Sequence, residues 1–297
     1  MMSVDTTVCI NIRSVLTTTY RGRFAPTPTG PLHLGSLVSA MASYLEARRH
    51  QGDWLLRIDD IDQTRCRPSL AEHIVQTLHQ FGFRWQEPVQ YQQQHQTYYQ
   101  QALHQLQQRG LLYACDCSRQ QLRHTAVYPG TCRELARPNA PGYALRVRTD
   151  QRLIHLHDAG QGPRQQRLSD TCGDFIVRRR DGLIAYQLAV VVDDYQARIT
   201  HVVRGADLLD STHRQIYLQQ LLQYPIPHYC HIPLVLDPDG KKLSKSTAAM
   251  PIEPTRPLPA LRTAWRFLQP TSPPSTLRNE ADFWHWAIQH WTYPKRG

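Results

Sequence analysis

Two short segments far apart in the chain carry side chains of the types that handle a nucleoside triphosphate. The first is His33-Leu34-Gly35, placed where a short strand and a Pro- and Gly-rich turn run into a helix. A helix N-terminus presents unpaired N–H groups and positive dipole to an anion, Gly35 permits close backbone approach, and His33 can donate to a phosphate oxygen. The second is Lys241-Lys242-Leu243-Ser244-Lys245-Ser246, which follows an Asp-Pro-Asp-Gly turn. Such a loop can close over a triphosphate and set Lys245 where charge builds on departing pyrophosphate, which favours the transition state over the ground state. A structural histidine beside a turn and a solvated basic loop are the commoner readings of either segment alone. Paired at opposite ends of one nucleotide fold, they point to ATP bound by His33, Gly35, Lys242, Ser244 and Lys245, with His33 and Lys245 catalytic.

Cys115, Cys117 and Cys132 place three thiols within eighteen residues, close enough for one tetrahedral site whose natural occupant is a structural Zn2+. Spacing alone favours His124 as fourth ligand, because imidazole is commoner on zinc than phenolate; three metal-free thiols are the competing reading. Cys9, Cys66, Cys172 and Cys230 read as packing residues. Seven cysteines is an odd number, and the opening residues show no small-residue cleavage pattern, so thiols or metal ligands are expected rather than a disulfide framework.

The elements that must position these groups follow from periodicity. From Arg21 the chain reads as a short strand, then a helix with Leu34, Leu37, Met41, Tyr44, Leu45 and Arg48 at three-to-four spacing, ending near Gly52, then a strand in Trp54 to Ile58. This is the βαβ unit of a parallel nucleotide-binding sheet. Eleven glutamines crowd Gln86 to Gln108, yet Tyr91, His95, Tyr98, Tyr99, Ala102, Leu103 and Leu106 keep a stripe that predicts one helix with a glutamine-rich solvent face. Residues 113–180, with cysteines, prolines, the alternating Leu145-Arg146-Val147-Arg148 and the basic Arg178-Arg179-Arg180, read as an inserted subdomain. Helical and strand patterns resume at Leu188 to Val192, Val202-Val203, a helix over 212–223 and a strand at Ile232 to Leu236. The expected organisation is a loose extension over 1–20, a Rossmann-type α/β catalytic domain from 21–112 and 181–250, the insertion at 113–180, and a short helical C-terminal region over 251–297.

At 297 residues and 41% hydrophobic composition the chain can bury a substantial core. No run of eighteen apolar residues occurs, so the reading is a soluble cytoplasmic protein with no membrane partner; a monomer is expected. Thirty-four Lys and Arg against twenty-four Asp and Glu give +10, spread along the chain, which suits a polyanionic partner though solubility alone explains it equally well.

The two phosphate-handling segments resemble the signature motifs of class I aminoacyl-tRNA synthetases, in the glutamyl and glutaminyl branch, to which Arg23-Phe24-Ala25-Pro26-Thr27-Pro28-Thr29-Gly30 is particular. The resemblance continues through Leu56 to Asp62, Asp181 to Asp194 and Val203 to Leu208, and so covers most of residues 21–250. It implies that Arg23 and Arg204 grip the carboxylates of L-glutamate, with Tyr186 in the same pocket and Phe24, Ala25, Pro26 and Thr27 completing it. The chemistry agrees, since a guanidinium offers a carboxylate two parallel donors. Asp59 stands where the family usually has Glu to meet the substrate α-amino group. The resemblance also implies Mg2+ with ATP and, against the spacing argument, Tyr128 as the fourth zinc ligand. Short length and cysteine pattern resemble a paralogous group that lacks the anticodon-binding domain and acts on tRNA(Asp) bearing queuosine. The rival expectations are a shortened synthetase charging tRNA(Glu), a silent RNA-binding paralogue, and a small-molecule nucleotidylyltransferase.

Overall fold

The computed structural model describes residues 19–235 and 252–292. Arg21–Phe24 (β1), Leu34–Arg49 (α1) and Asp53–Ile58 (β2) form the expected βαβ unit, with β1 and β2 parallel and Arg23 opposite Leu55. Trp54, Leu56 and Ile58 pack into one core and Leu55 into another, so β2 is buried on both faces, as period-two alternation in a central parallel strand requires. Pro68–Gln80 (α2) follows, and Gln90–Tyr91 (β3) adds in parallel to the outer side of β2. His201–Gly205 (β9) lies beside β1, where the Thr200 N–H donates to the Arg21 carbonyl at 2.9 Å. His228–Ile232 (β10) pairs in parallel with β9, Leu153–Asp158 (β6) in parallel with β10, and Gly162–Arg167 (β7) closes that edge antiparallel.

The chain therefore winds outward in both directions from β1 and β9. In an open α/β sheet the crevice at the carboxyl ends of such a pair is where ligands bind. One core holds α1 with the C-terminal helices Pro257–Leu268 (α7) and Glu280–His290 (α8), around Tyr44, Trp54, Phe83, Trp265 and Trp284. On the other side Gln96–Gln108 (α3), Tyr186–Gln196 (α5) and Leu209–Leu222 (α6) cover Leu55, Val202 and Tyr229. Leu112–Cys115 (β4), Ala144–Val147 (β5) and Ile176–Arg178 (β8) make a separate antiparallel sheet in the order β4-β5-β8, and the short Leu168–Thr171 (α4) precedes β8. Among the described residues no helix is long and apolar enough to cross a membrane.

Three sequence expectations are corrected. The stripe over 86–108 is not one helix: Tyr91 ends β3, Gln92–His95 is a 3-10 turn, and α3 begins at Gln96. Asp60 causes the break, because its Oδ1 accepts the Gln93 N–H at 3.0 Å and ties the turn to the end of β2. The strand expected at 232–236 instead ends at Ile232, since Pro233 has no N–H for the ladder. Tyr20, expected in a loose extension, is buried; its carbonyl accepts from Asp53 at 3.0 Å and its ring stacks on His201 with centroids 4.1 Å apart.

Candidate active site

A cavity of about 510 Å³ opens at the carboxyl ends of β1 and β9. Arg23, Phe24, Ala25, Pro26 and Thr27 line it from the end of β1 and the turn after it, His33, Gly35, Ser36 and Ser39 from the start of α1, Arg57 from β2 and Asp59 from just beyond it, Tyr186 from α5, and Val203, Arg204, Gly205, Asp207 and Leu208 from β9 and the turn that follows it. Of the described residues expected to bind ATP or glutamate, every one reaches this cavity. Lys242, Ser244 and Lys245 lie outside the described residues. The turn before α1 is held to β2 by the Asp59 N–H donating to the Pro26 carbonyl at 2.9 Å. His33 is the N-cap of α1, its Nδ1 accepting the Ser36 N–H at 3.3 Å, and no acidic residue occupies the first turn, so the positive end of the dipole is left facing the cavity.

Arg23 does not stand alone. Its Nε lies 3.1 Å from Asp194 Oδ1, and Arg57 NH1 lies 2.7 Å from the same oxygen. Arg57 Nε reaches Asp59 Oδ1 at 2.7 Å. Burial alone would raise the Asp194 carboxyl, but the guanidiniums of Arg23 and Arg57 hold it below the ordinary carboxylate range. Burial pushes Asp59 the other way, up to about 6, against the pull of Arg57. Asp59 is thus already engaged by Arg57, an arrangement the sequence did not reveal. On β9, Arg204 NH2 donates to Thr212 Oγ1 at 2.8 Å and Gln215 Oε1 at 2.7 Å, and its Nε meets His231 Nε2 at 3.0 Å. Its NH1 is buried and has no hydrogen-bond partner among the described residues. A buried donor without a partner is costly, so a ligand carboxylate there gains more than it would from a satisfied arginine. Arg57, Asp194, Thr212, Gln215 and His231 were not singled out as site residues from sequence. Arg57 and Asp194 lie within the motif segments, whereas nothing local marks the other three.

The thiols of Cys115, Cys117 and Cys132 lie within 4.8 Å of one another, at the end of β4 and in the loops after it. The Tyr128 hydroxyl is 3.4 Å from Cys115 Sγ and 3.7 Å from Cys117 Sγ, while Cys117 and Cys132 Sγ are 3.5 Å apart. Sulfurs bound to one tetrahedral zinc at the usual bond length sit roughly 3.8 Å apart, so the donor set fits zinc in size and softness. Burial opposes ionisation of Cys115, but the Tyr128 hydroxyl and the Arg146 guanidinium, whose Nε is 3.2 Å from its sulfur, together lower its pKa. Gly173, at φ +65°, is needed here, because a Cβ would come within 2.5 Å of the Tyr128 carbonyl. His124, favoured by spacing, is exposed and its Nε2 accepts from Arg123 Nε at 2.8 Å. Cys66 and Cys230 are buried and Cys172 is half-buried, and Cys9 lies outside the described residues. The basic triplet is largely engaged within the chain: Arg179 bonds Asp62 and Asp181, Arg178 bonds Asn139, and Arg180 donates to the Gly142 carbonyl.

Residues 19–253 match the family model described as tRNA synthetases class I (E and Q), catalytic domain. A protein of Verminephrobacter eiseniae named glutamyl-Q tRNA(Asp) synthetase is 47% identical over 286 residues, covering 92% of this chain and 97% of that one. The protein of the same name from Dechloromonas aromatica is 48% identical, covering 92% and 94%. Among solved structures, the glutamate-tRNA synthetase of Elizabethkingia anophelis is 29% identical with a TM-score of 0.68 over 77% of this chain. The glutamate tRNA ligase of Elizabethkingia meningosepticum, solved with its amino acid, is 28% identical with a TM-score of 0.69 over 79% of it. This chain spans 53% and 54% of the length of those two.

Proposed function

Since the chain belongs to the catalytic-domain family of the class I tRNA synthetases for glutamate and glutamine, and is a ligase of that type, we propose that it activates L-glutamate with ATP without needing tRNA, and then transfers it to the queuosine base at the wobble position of tRNA(Asp). In the first step a carboxylate oxygen of glutamate attacks the α-phosphorus, the bond from that phosphorus to the bridging oxygen breaks, and pyrophosphate leaves with the electron pair. A nucleophile on the RNA then takes the acyl group and releases AMP. Neither step needs a protein nucleophile, so positioning and charge stabilisation supply most of the catalysis. Mg2+ bound with ATP would supply charge neutralisation at the phosphates.

The observation that carries the glutamate reading is the pair of buried arginines on the neighbouring strands β1 and β9, Arg23 and Arg204, with one Arg204 nitrogen unpartnered among the described residues. Two guanidiniums suit the two carboxylates of glutamate and select against the uncharged amide of glutamine. Asp59, Tyr186, Phe24, Ala25, Pro26 and Thr27 complete the amino-acid pocket, and His33, Gly35, Lys242, Ser244 and Lys245 serve ATP. Cys115, Cys117, Tyr128 and Cys132 would hold a structural Zn2+, with no part in the reaction. The queuosine acceptor is supported by the names of the relatives that match over nine-tenths of this chain. The likeness to glutamate-tRNA synthetases favours the second reading, charging of tRNA(Glu). Labelled glutamate offered with ATP to tRNA(Asp) bearing queuosine, tRNA(Asp) without it, and tRNA(Glu) decides between them. Label only on the queuosine-bearing RNA is expected; label on tRNA(Glu) would give the second reading, and no glutamate-dependent ATP–pyrophosphate exchange would sink both.

A further inference from the structure

Arg204 is held from behind by a chain of groups that the substrate reading does not use. Asp158 ends β6, and His231 lies in β10, 73 residues later and fully buried. Asp158 Oδ1 accepts three backbone N–H groups, from Gly160 at 3.0 Å, Gln161 at 2.7 Å and His231 at 3.1 Å. Its Oδ2 lies 2.5 Å from His231 Nδ1. The turn is closed tightly around this contact, since a Cβ on Gly160 would come within 2.3 Å of the His231 carbonyl. On its far side, His231 Nε2 meets Arg204 Nε at 3.0 Å and the Thr212 hydroxyl, which can serve as donor or acceptor, at 3.1 Å.

The donor logic has one solution. Arginine Nε only donates, so His231 Nε2 must be the bare nitrogen, and Nδ1 must carry the proton that it gives to Oδ2. An ionised carboxylate, which only accepts, enforces that tautomer. Burial lowers the pKa of His231, which keeps the ring neutral beside the guanidinium. With Nε bound by His231 and NH2 by Thr212 and Gln215, NH1 alone is left without a partner among the described residues, on a side chain that lines the cavity.

We propose that Asp158 and His231 are positioning residues for the amino-acid substrate: by fixing the His231 tautomer they fix the orientation of Arg204 and the nitrogen it offers to a substrate carboxylate. The inference rests on Arg204 being a glutamate ligand. It also couples the segment between the cysteines and α5 to amino-acid choice, because Asp158 comes from that segment. A plainer role, in which Asp158 only closes the β6–β7 turn, predicts loss of stability without a change in substrate preference.

Asp158→Asn separates the two. The amide oxygen remains with the three N–H donors of the turn, so its NH2 faces Nδ1 and forces the other tautomer, setting an N–H of His231 against the N–H of Arg204. In ATP–pyrophosphate exchange this variant and His231→Phe are expected to raise the KM for glutamate roughly 10- to 100-fold, the cost of one misdirected buried donor. The KM for ATP should stay unchanged and the preference for glutamate over glutamine should fall. His231→Gln, whose amide oxygen can accept from Arg204 Nε, should recover most of the loss. An unchanged glutamate KM in Asp158→Asn, or no rescue by Gln, overturns the proposal. Should a variant fail to fold, nitrogen-15 histidine NMR of the wild-type protein reads the tautomer directly: protonated Nδ1 supports the proposal and protonated Nε2 ends it. Absence of glutamate-dependent exchange in the wild type would instead remove the glutamate reading, and this proposal with it.

Discussion

Arg23 and Asp194 form a buried ion pair, Nε to Oδ1 at 3.1 Å with both side chains about one-twentieth exposed, across 171 residues of sequence. The pair fastens the end of β1 to α5 and points Arg23 along the cavity wall. Removing one partner of a buried pair leaves an uncompensated charge, so Asp194→Asn should destabilise the protein by about 3–5 kcal/mol. The folded pKa of Asp194 is depressed, so its stabilisation is present above the ordinary carboxylate pKa and lost as pH falls through the folded value. Thermal unfolding followed against pH should therefore show a shallower acid limb in Asp194→Asn than in wild type, and parallel limbs would contradict this.

Asp59 is shifted in the opposite direction. Burial raises it to about 6, with Arg57 and Arg23 opposing and Asp193 adding to the rise. Its contribution to stability is present at low pH and lost as pH rises through about 6, whereas its use as an anion toward the substrate amino group follows the reverse course. The KM for glutamate should rise as pH falls through about 6. Asp59→Asn should give a high KM with no such pH dependence; a wild-type profile flat across that range would remove Asp59 from the amino-acid site.

Arg204→Lys keeps a positive charge but loses the planar fork, and it abandons His231, Thr212 and Gln215 together. The KM for glutamate is expected to rise by at least about tenfold while the KM for ATP holds, because two to three kcal/mol of charge-assisted hydrogen bonding is at stake. An equal effect on both substrates would mean that the residue supports the whole cavity rather than the amino acid.

The parts of this architecture that depend on local order were legible in the sequence. The βαβ unit follows from apolar spacing in α1 and β2, and the thiol cluster from Cys115, Cys117 and Cys132. What escaped depends on contacts between residues far apart in the chain. Asp158 meets His231 and Asp194 meets Arg57 only because β6 joins β10 and α5 crosses β2, which no periodicity encodes. The glutamine-rich stripe misled because a helical spacing ran unbroken through Tyr91 and His95, while the side chain that stops the helix, Asp60, comes from the loop after β2. At the fourth zinc position ligand statistics favour imidazole, but the structure leaves His124 exposed and sets Tyr128 beside Cys115 and under Arg146, whose guanidinium carbon lies 3.6 Å from the ring centre.

Lys245 lies outside the described residues, so its role rests on its motif. If it meets the charge on departing pyrophosphate, Lys245→Ala should slow ATP–pyrophosphate exchange by roughly 10²- to 10³-fold, the usual cost of one transition-state donor. Stability should be unchanged. Exchange at the wild-type rate would move that loop out of the reaction.

The cysteine site makes a prediction that does not depend on activity. Metal analysis of the purified protein should find about one zinc per chain, since three thiolates and one oxygen fill a closed tetrahedral site. Cys132→Ser should lose most of that zinc and lower the melting temperature, because Cys132 is buried and its N–H also donates to the Tyr128 hydroxyl at 3.0 Å. Tyr128→Phe is the sharper variant: the ring stays beneath Arg146 and only the oxygen is lost. If that oxygen is the fourth ligand, a chromogenic chelator should strip zinc from Tyr128→Phe faster than from wild type, with His124→Ala indistinguishable from wild type. The reverse pattern would return the fourth position to His124, and equal release from all three would leave zinc held by thiolates and solvent alone.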